Sequence, residues 1–421
     1  MIVRRSVAAL AVSAALCAAA APAALADGKP SPKASGAKLP EGLYGTADPK
    51  FDGVWRQSLA LLAQDAVDVT PAKSAVDWLA GQQCEDGGFA AYRADTGKAC
   101  DPEKGEFGDA TAAAVQALAA VGGRAKAVEK GIGWLKRNQN EDGGWGMNPG
   151  APSDANSTSA AVGAFAATGV DPAEVTSAES GKTPYDALIG LQLGCDAKAD
   201  ERGAFTYQKA KGGPAVNDLA TASAALAVRG SGLVPDAEGK GKGGEPKPLS
   251  CGGDAEDRTP EQAAEGAAAY LAKAMAGHGD HLMSSMPGAK DQPDFGATAD
   301  AIVALSAGGH RASAAKPLAW LQSKDGGAVA WAKGNPGALG KLVLAAHAAG
   351  GDPRDFSGTD VVRQLNATGP KPQAASGPEA SAKSEDEKDD GGNGVWWVVG
   401  VCAVAGMGIG FLLSGRKKQR V

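Results

Sequence analysis

One short phrase recurs along the chain and limits what it can become. Gln83-Cys-Glu-Asp-Gly-Gly-Phe89 returns as Gln139-Asn-Glu-Asp-Gly-Gly-Trp145 and, less its aromatic, as Gln322-Ser-Lys-Asp-Gly-Gly-Ala328. Before each copy lies a short amphipathic stretch, such as Ala75–Gln83 with Trp78. After the first two comes an Ala-rich stretch opening on an Asx and a Thr, such as Asp109–Leu118. A unit of helix, turn and helix at this spacing cannot bury its apolar face alone, so successive units must stack. The sequence therefore predicts an all-α helical repeat array, and function must reside on the surface that the array creates.

The glycine pair permits left-handed backbone. The Asp carboxylate can accept the N–H groups freed in the turn, the glutamines can bond loop carbonyls, and the aromatic can pack onto the next unit. These residues read as fold glue rather than catalysts. The second helices of the units begin at Asp109, Asn156, Asp218 and Asp294, each taken as a cap. They run through small residues to Gly122, Gly169, Gly230 and Gly308 and suit a crowded inner ring. The first helices carry the larger and charged residues and suit an outer ring; Thr70-Pro71 reads as the cap and first residue of the one holding Trp78. About twelve helices are expected, near residues 54, 72, 110, 124, 157, 184, 217, 260, 294, 312, 336 and 357, enough for six concentric pairs.

The ends read differently. Residues 1–26 have Arg4 and Arg5, an apolar run and Ala24-Leu-Ala26, which is the pattern of a secretory signal peptide. Residues 27–50 are expected to be a flexible segment, 51–367 the repeat domain with an insertion at 235–257, and 368–394 a disordered acidic stalk. Residues 395–413 are apolar and long enough to span a bilayer as a transmembrane helix. The basic tail 414–421 would then lie in the cytoplasm, with the body extracellular. Six of the 42 Lys and Arg belong to the two end segments, leaving 36 against 48 acids between them. That balance argues against a nucleic-acid partner. Setting aside Cys17 and Cys402, four cysteines remain, and an even number in an exported chain suggests two disulfides. The pairing Cys84–Cys100 with Cys195–Cys251 is favoured because each pair brackets one excursion between helices.

The Gln-x-x-Asp-Gly-Gly-(Phe/Trp) phrase followed by a Thr-Ala-x-Ala helix resembles the prenyltransferase and squalene-cyclase repeat, from about Trp55 to Phe356. Gln192 with Gly203-Ala-Phe205 is a stretched copy, and the region around Met275 is degenerate. The resemblance implies an α/α toroid, shared by prenyltransferase β-subunits, triterpene cyclases, complement-type thioester domains and corrinoid carriers. The catalytic signatures of those relatives do not follow. A D-x-D-D motif is missing from the domain, the Gly-Cys-Gly-Glu-Gln element is missing, and Cys251 with Asp254 falls in the insertion. His278-Gly-Asp280-His281 offers metal-ligand chemistry but reads as an exposed turn, so no metal and no cofactor are expected. Leu365-Asn-Ala-Thr-Gly369 only loosely resembles a sortase signal.

The reading is a surface-anchored, non-catalytic toroid binding a small molecule or a protein partner at one ring mouth, for instance a corrinoid-like or isoprenoid ligand. The alternatives are an extracytoplasmic isoprenoid-processing enzyme and an adhesion scaffold. Asp109, Thr111, Asn156, Thr158, Asp218, Thr221, Asp294 and Thr298 would ring the mouth, with Tyr92, Trp145 and Tyr207 on loops nearby.

Overall fold

The computed structural model describes residues 40–101, 105–209, 213–235, 244–251, 258–284, 292–324 and 326–374, all within one compact unit. The expected signal peptide, most of the stalk, the transmembrane helix and the basic tail lie outside these residues. No helix among the described residues is long and apolar enough to cross a membrane. The described chain holds thirteen α-helices and no extended strand, only isolated bridges.

Six helices form the inner layer. They are α1 (Gly53–Asp65), α3 (Gly108–Val121), α5 (Ala155–Ala167), α7 (Asp218–Ala227), α9 (Phe295–Ala307) and α12 (Pro336–Ala348). α1 packs on α3, α3 on α5, α5 on α7, α7 on α9, α9 on α12, and α12 returns to α1, so the layer closes. This closed cycle is consistent with an α/α toroid. Ala and Gly permit the close approach. Ala112, Ala113, Ala114, Ala161, Ala164 and Ala299 are all 0% exposed, and a Cβ on Gly340 would lie 3.0 Å from the Leu59 carbonyl oxygen.

The outer layer places α2 (Lys73–Gly81) against α1 and α3, and α4 (Ala125–Arg137) against α3 and α5. α6 (Pro184–Ile189) lies on α5, and α8 (Pro260–Gly277) on α7 and α9. α10 (Arg311–Gln322) follows on α9, with α11 (Ala328–Ala332) and α13 (Val361–Asn366) on α12. The bulky side chains sit between layers, as expected: Trp134, Leu135, Trp145 and Phe165 form one buried cluster.

The repeated phrase works as hydrogen-bonded stitching. Asp86 Oδ1 accepts the Gly88 N–H at 3.1 Å, and Asp142 Oδ1 the Gly144 N–H at 3.1 Å. Gln83 Nε2 donates to the Gly87 and Ala127 carbonyls, sewing the turn to α4. Gln139 does the same to Gly143, and Gln192 to Gly203 and to Ala263 of α8. The first glycine of the pair is fixed twice over. Gly87, Gly143 and Gly203 have φ of +109°, +88° and +91°, and a Cβ on any of them would lie 2.2–2.3 Å from a backbone oxygen of the next outer segment.

Both disulfides form with the expected pairing, Cys84–Cys100 and Cys195–Cys251. The second fastens the insertion, whose described part, 244–251, is also held by Glu265 on α8. That carboxylate accepts Lys247 N–H at 3.1 Å and Arg229 Nη2 at 2.8 Å, and faces His310 Nε2 at 3.1 Å.

Several boundaries differ from the sequence reading. α2 begins at Lys73 after Ala72, with no side-chain cap, so Thr70 does not cap it. A thirteenth helix, α11, stands where the third phrase loses its aromatic, and the last helix starts at Val361 rather than near 357. Residues 40–50 are not all flexible, nor are 368–374 all stalk. Tyr44 is 0% exposed, its hydroxyl donates to the Pro370 carbonyl and accepts from Gln64 Nε2, and Gly45 N–H bonds the Thr368 carbonyl. This clasp crosses the α1–α12 seam and buries an aromatic that no repeat period reveals.

Candidate ligand-binding mouth

Five of the six inner helices start at an Asx, and neighbouring N-termini lie near enough for their acids to interact, Asp109 with Asp154 and Asp218 with Asp294. The caps are Asp52 (α1), Asp154 (α5), Asn217 (α7), Asp294 (α9) and Asn335 (α12), while α3 carries Asp109 in its first turn. Converging helix N-termini present N–H groups and partial positive charge, which favours carboxylates there. Four of these caps accept a backbone N–H two or three residues into the helix, as Asp154 does from Ser157 and Asp294 from Ala297, both at 2.8 Å.

The sequence reading placed three caps wrongly. α5 is capped by Asp154, not Asn156; α7 by Asn217, not Asp218; and α3 has Phe107 at its cap position, so Asp109 lies inside the helix. In each case neighbouring residues compete for the cap, and composition does not choose between them. Asp294 is a cap as expected.

The four threonines sit beneath the mouth and are 0% exposed. Thr111 Oγ1 accepts the Phe89 N–H at 2.9 Å, Thr158 that of Trp145 at 3.0 Å, Thr221 that of Phe205 at 2.8 Å, and Thr298 that of Leu282 at 3.0 Å. Each hydroxyl thus ties an inner helix to the residue after the turn, and Leu282 identifies the degenerate copy. Trp145 is also interior, 1% exposed, with Nε1 donating to the Leu135 carbonyl. Tyr92 is half-buried and stacks on Trp78 with centroids 6.4 Å apart.

The half-buried groups left at the opening are Asp109, Asn156, Asp218, Asp294 and Tyr207, joined by Tyr270 of α8. Tyr270 donates its hydroxyl to Asp218 Oδ1 at 2.7 Å. The Asn156 Oδ1 is buried without a hydrogen-bond partner. Burial lifts the Asp109 carboxyl to about 6, against the pull of the Ala110 N–H and with help from the Asp154 charge. Burial also raises Asp52, Asp154, Asp218 and Asp294. Burial, then the Asp154 and Asp109 charges, raises Tyr207 to about 12. The cations near this end are matched to acids: Arg56 to Asp52 at 3.0 Å and Lys341 to Asp300 at 2.5 Å.

Beyond the C-terminal end of α7 the chain runs past α5 to α3. After α7, Gly232 and Leu233 reach back to α3, where Leu233 N–H donates to Gln116 Oε1 at 2.8 Å and Gln116 Nε2 bonds the Ala160 carbonyl. A Cβ on Gly163 or Gly232 would meet the Gln116 side chain within 2.8 Å. Two cavities, of about 690 and 280 Å³, lie beside α11 and in the α2–α3 loop; no residue of the six inner helices lines either.

His278, Asp280 and His281 do not assemble as a metal site. His281 stacks on Trp320 with centroids 4.4 Å apart, and His278 Nδ1 faces the Ala274 carbonyl. Among the described residues, the group with three ligand atoms within 4.8 Å of one another is Cys84, Cys100 and Glu106, whose sulfurs are already bonded together.

Residues 56–189, from α1 to α6, match the family model of the prenyltransferase alpha-alpha toroid domain. No curated protein matches the chain. Among solved structures, one described as a protein from Actinoplanes is 16% identical, with a TM-score of 0.46 over 74% of this chain and 95% of that one.

Proposed function

We propose that this chain is a binding module rather than an enzyme, and that its mouth of inner-helix N-termini takes up a ligand or the face of a partner. The match of residues 56–189 to the toroid-domain model supports a ligand-binding or isoprenoid-related module at a coarse level. The observation that favours a broad, polar ligand over a prenyl chain is the packing of Leu233 on Gln116 of α3, among buried alanines of the inner helices. A prenyl chain needs a deep apolar slot. What the mouth offers is polar: carboxylates, a buried Asn156 carbonyl seeking a donor, and two tyrosines. Acceptors in that number suit a ligand whose rim carries N–H donors, and a corrinoid, edged with amide groups, has that chemistry. The enzyme alternative would need a proton donor or a diphosphate clamp. Asp109, raised to about 6, is a first-turn residue, Glu106, raised to about 7, is tied to the Trp134 indole N–H, and Arg56 and Lys341 are paired with acids.

We also propose a secreted, membrane-tethered placement, from the charged and apolar signal at the start, the disulfides and the apolar run 395–413. Gln373 bonds the Thr70 and Pro71 carbonyls beyond the C-terminal end of α1. The described chain therefore leaves the domain about 20 Å, one thirteen-residue helix, from the mouth.

Equilibrium dialysis of the purified protein tests the reading. Cyanocobalamin should be retained, and retention should weaken in Asp109→Ala and Tyr207→Ala. Farnesyl diphosphate and squalene should be neither retained nor converted. Turnover of either isoprenoid would overturn the proposal.

A further inference from the structure

One sector of the mouth departs from the repeat, and there the chain assembles something the other sectors lack. Where the third phrase has Ala328 in place of an aromatic, the turn instead winds into α11 and presents Trp331 three residues later. Trp331 meets Phe295 at the head of α9 with centroids 5.5 Å apart. Phe295 stacks on Trp320 at 5.2 Å, and Trp320 on His281 at 4.4 Å. All four rings are half-buried rather than interior, unlike Phe89, Trp145 and Phe205, the aromatics of the regular copies. The column ends on the mouth at Gly296. A carbon placed where its Cβ would stand lies 3.5 Å from Asp294 Oδ1, 3.7 Å from Lys341 Nζ and 3.8 Å from Trp331 Cζ2. A carboxylate, an ammonium and an indole edge thus converge on one spot with only a glycine beneath.

We propose that this corner is a sugar-binding subsite for a neutral oligosaccharide. Three features point to that class. A partly exposed indole suits the C–H face of a pyranose ring, which is apolar and flat, and burying it removes apolar surface without asking for a counter-charge. The Lys341–Asp300 pair, 2.5 Å apart with side chains 12% and 25% exposed, gives donors and acceptors side by side. Vicinal hydroxyls need both at once, and charge-assisted hydrogen bonds are the stronger kind. The charges already balance within the pair, so a phosphorylated or carboxylated ligand would have to compete with Asp300 for the one ammonium while facing Asp294. The reading is independent of what the centre of the mouth binds.

The test is titration calorimetry of the full chain with cellotetraose, chitotetraose and maltotetraose, with saturation-transfer NMR on the same samples. At least one sugar should bind, with the largest saturation on its axial ring protons. Trp331→Ala should weaken that binding tenfold or more, and Lys341→Met, which keeps the aliphatic stem, should weaken it several-fold. Trp331→Phe, which keeps an aromatic face, should fall between wild type and Trp331→Ala, and so separates loss of a contact from loss of fold. Binding by none of the three sugars, or binding undiminished in Trp331→Ala, overturns the inference. Retention of cyanocobalamin with no sugar bound would sink this proposal alone and leave the earlier one standing.

Discussion

Thr158→Val separates a threonine that holds the ring together from one that greets a ligand. Thr158 is 0% exposed. Its oxygen accepts the Trp145 N–H at 3.0 Å and its hydroxyl returns a bond to the Trp145 carbonyl at 3.2 Å. Valine fills nearly the same volume, so the cavity left is small. What is lost is the acceptor for a backbone N–H that water cannot reach, which costs about 1–3 kcal/mol, plus the returned bond at ~1 kcal/mol. We therefore expect a loss of about 2–4 kcal/mol, a large share of the ~5–15 kcal/mol that holds a folded domain. Urea unfolding should show a lower midpoint with an unchanged slope. Thr158→Ser, which keeps the hydroxyl, should recover most of the loss. Thr298→Val should cost a similar amount, and the two should add, because α7 separates α5 from α9 in the ring. Retention of a mouth ligand by the folded Thr158→Val protein should match wild type. The reasoning fails if valine is as stable as threonine, or if serine is no better than valine.

Other outcomes follow from the same coordinates. Burial and the Asp86 charge raise Glu106 to about 7, opposed by the Trp134 N–H at 2.6 Å, and Asp109 stands at about 6. Both groups hold protons more tightly folded than unfolded, so their stabilisation is complete below about pH 4 and fades as pH rises through 6 and 7. Unfolding between pH 5 and 8 should therefore show stability falling by on the order of a few kcal/mol, with a flatter profile in Asp109→Asn and Glu106→Gln. Glu265 has the opposite sign. Burial raises it, but Arg229, the Lys247 N–H and His310 together bring it below its usual value, so its contribution is present above about pH 4.5 and lost in acid. Glu265→Ala should speed hydrogen exchange at 244–251, since that carboxylate holds the Lys247 N–H. Cys251→Ser opens a 56-residue loop and should cost about 4 kcal/mol, against about 3 kcal/mol for Cys100→Ser and its 16-residue loop, read from thermal or urea unfolding.

Local chemistry made much of this legible before any coordinates. The Asp-Gly-Gly turn, the Gln that stitches it and the two-layer division of small and large residues each follow from what one residue type can do at one place. The threonines were visible but misread. A Thr one turn into a small-residue helix looks the same whether its hydroxyl meets a ligand or the Phe89 N–H, and only the packing of the preceding turn decides. The caps of α5 and α7 failed for a related reason, because Asp154 and Asn156, or Asn217 and Asp218, are chemically near-equal. The Tyr44 clasp and the His281–Trp320–Phe295–Trp331 column were out of reach, since each joins residues with no common period. In the column, the signal was an absence: Ala328 where the copies at Phe89 and Trp145 have a ring.

Everything said of the mouth requires that the inner helices close, which α12 does by packing on α1. Arg56 on α1 and Gly337 on α12 are 281 positions apart in the chain, yet a Cβ on Gly337 would stand 3.4 Å from that of Arg56. That separation lies at the short edge of the range a disulfide spans. The Arg56→Cys, Gly337→Cys double variant should therefore cross-link within the folded monomer under mild oxidation, seen as a faster band without reductant and as one linked peptide pair by mass spectrometry. Two thiols that stay free in the folded protein would mean an open array, and with it no mouth.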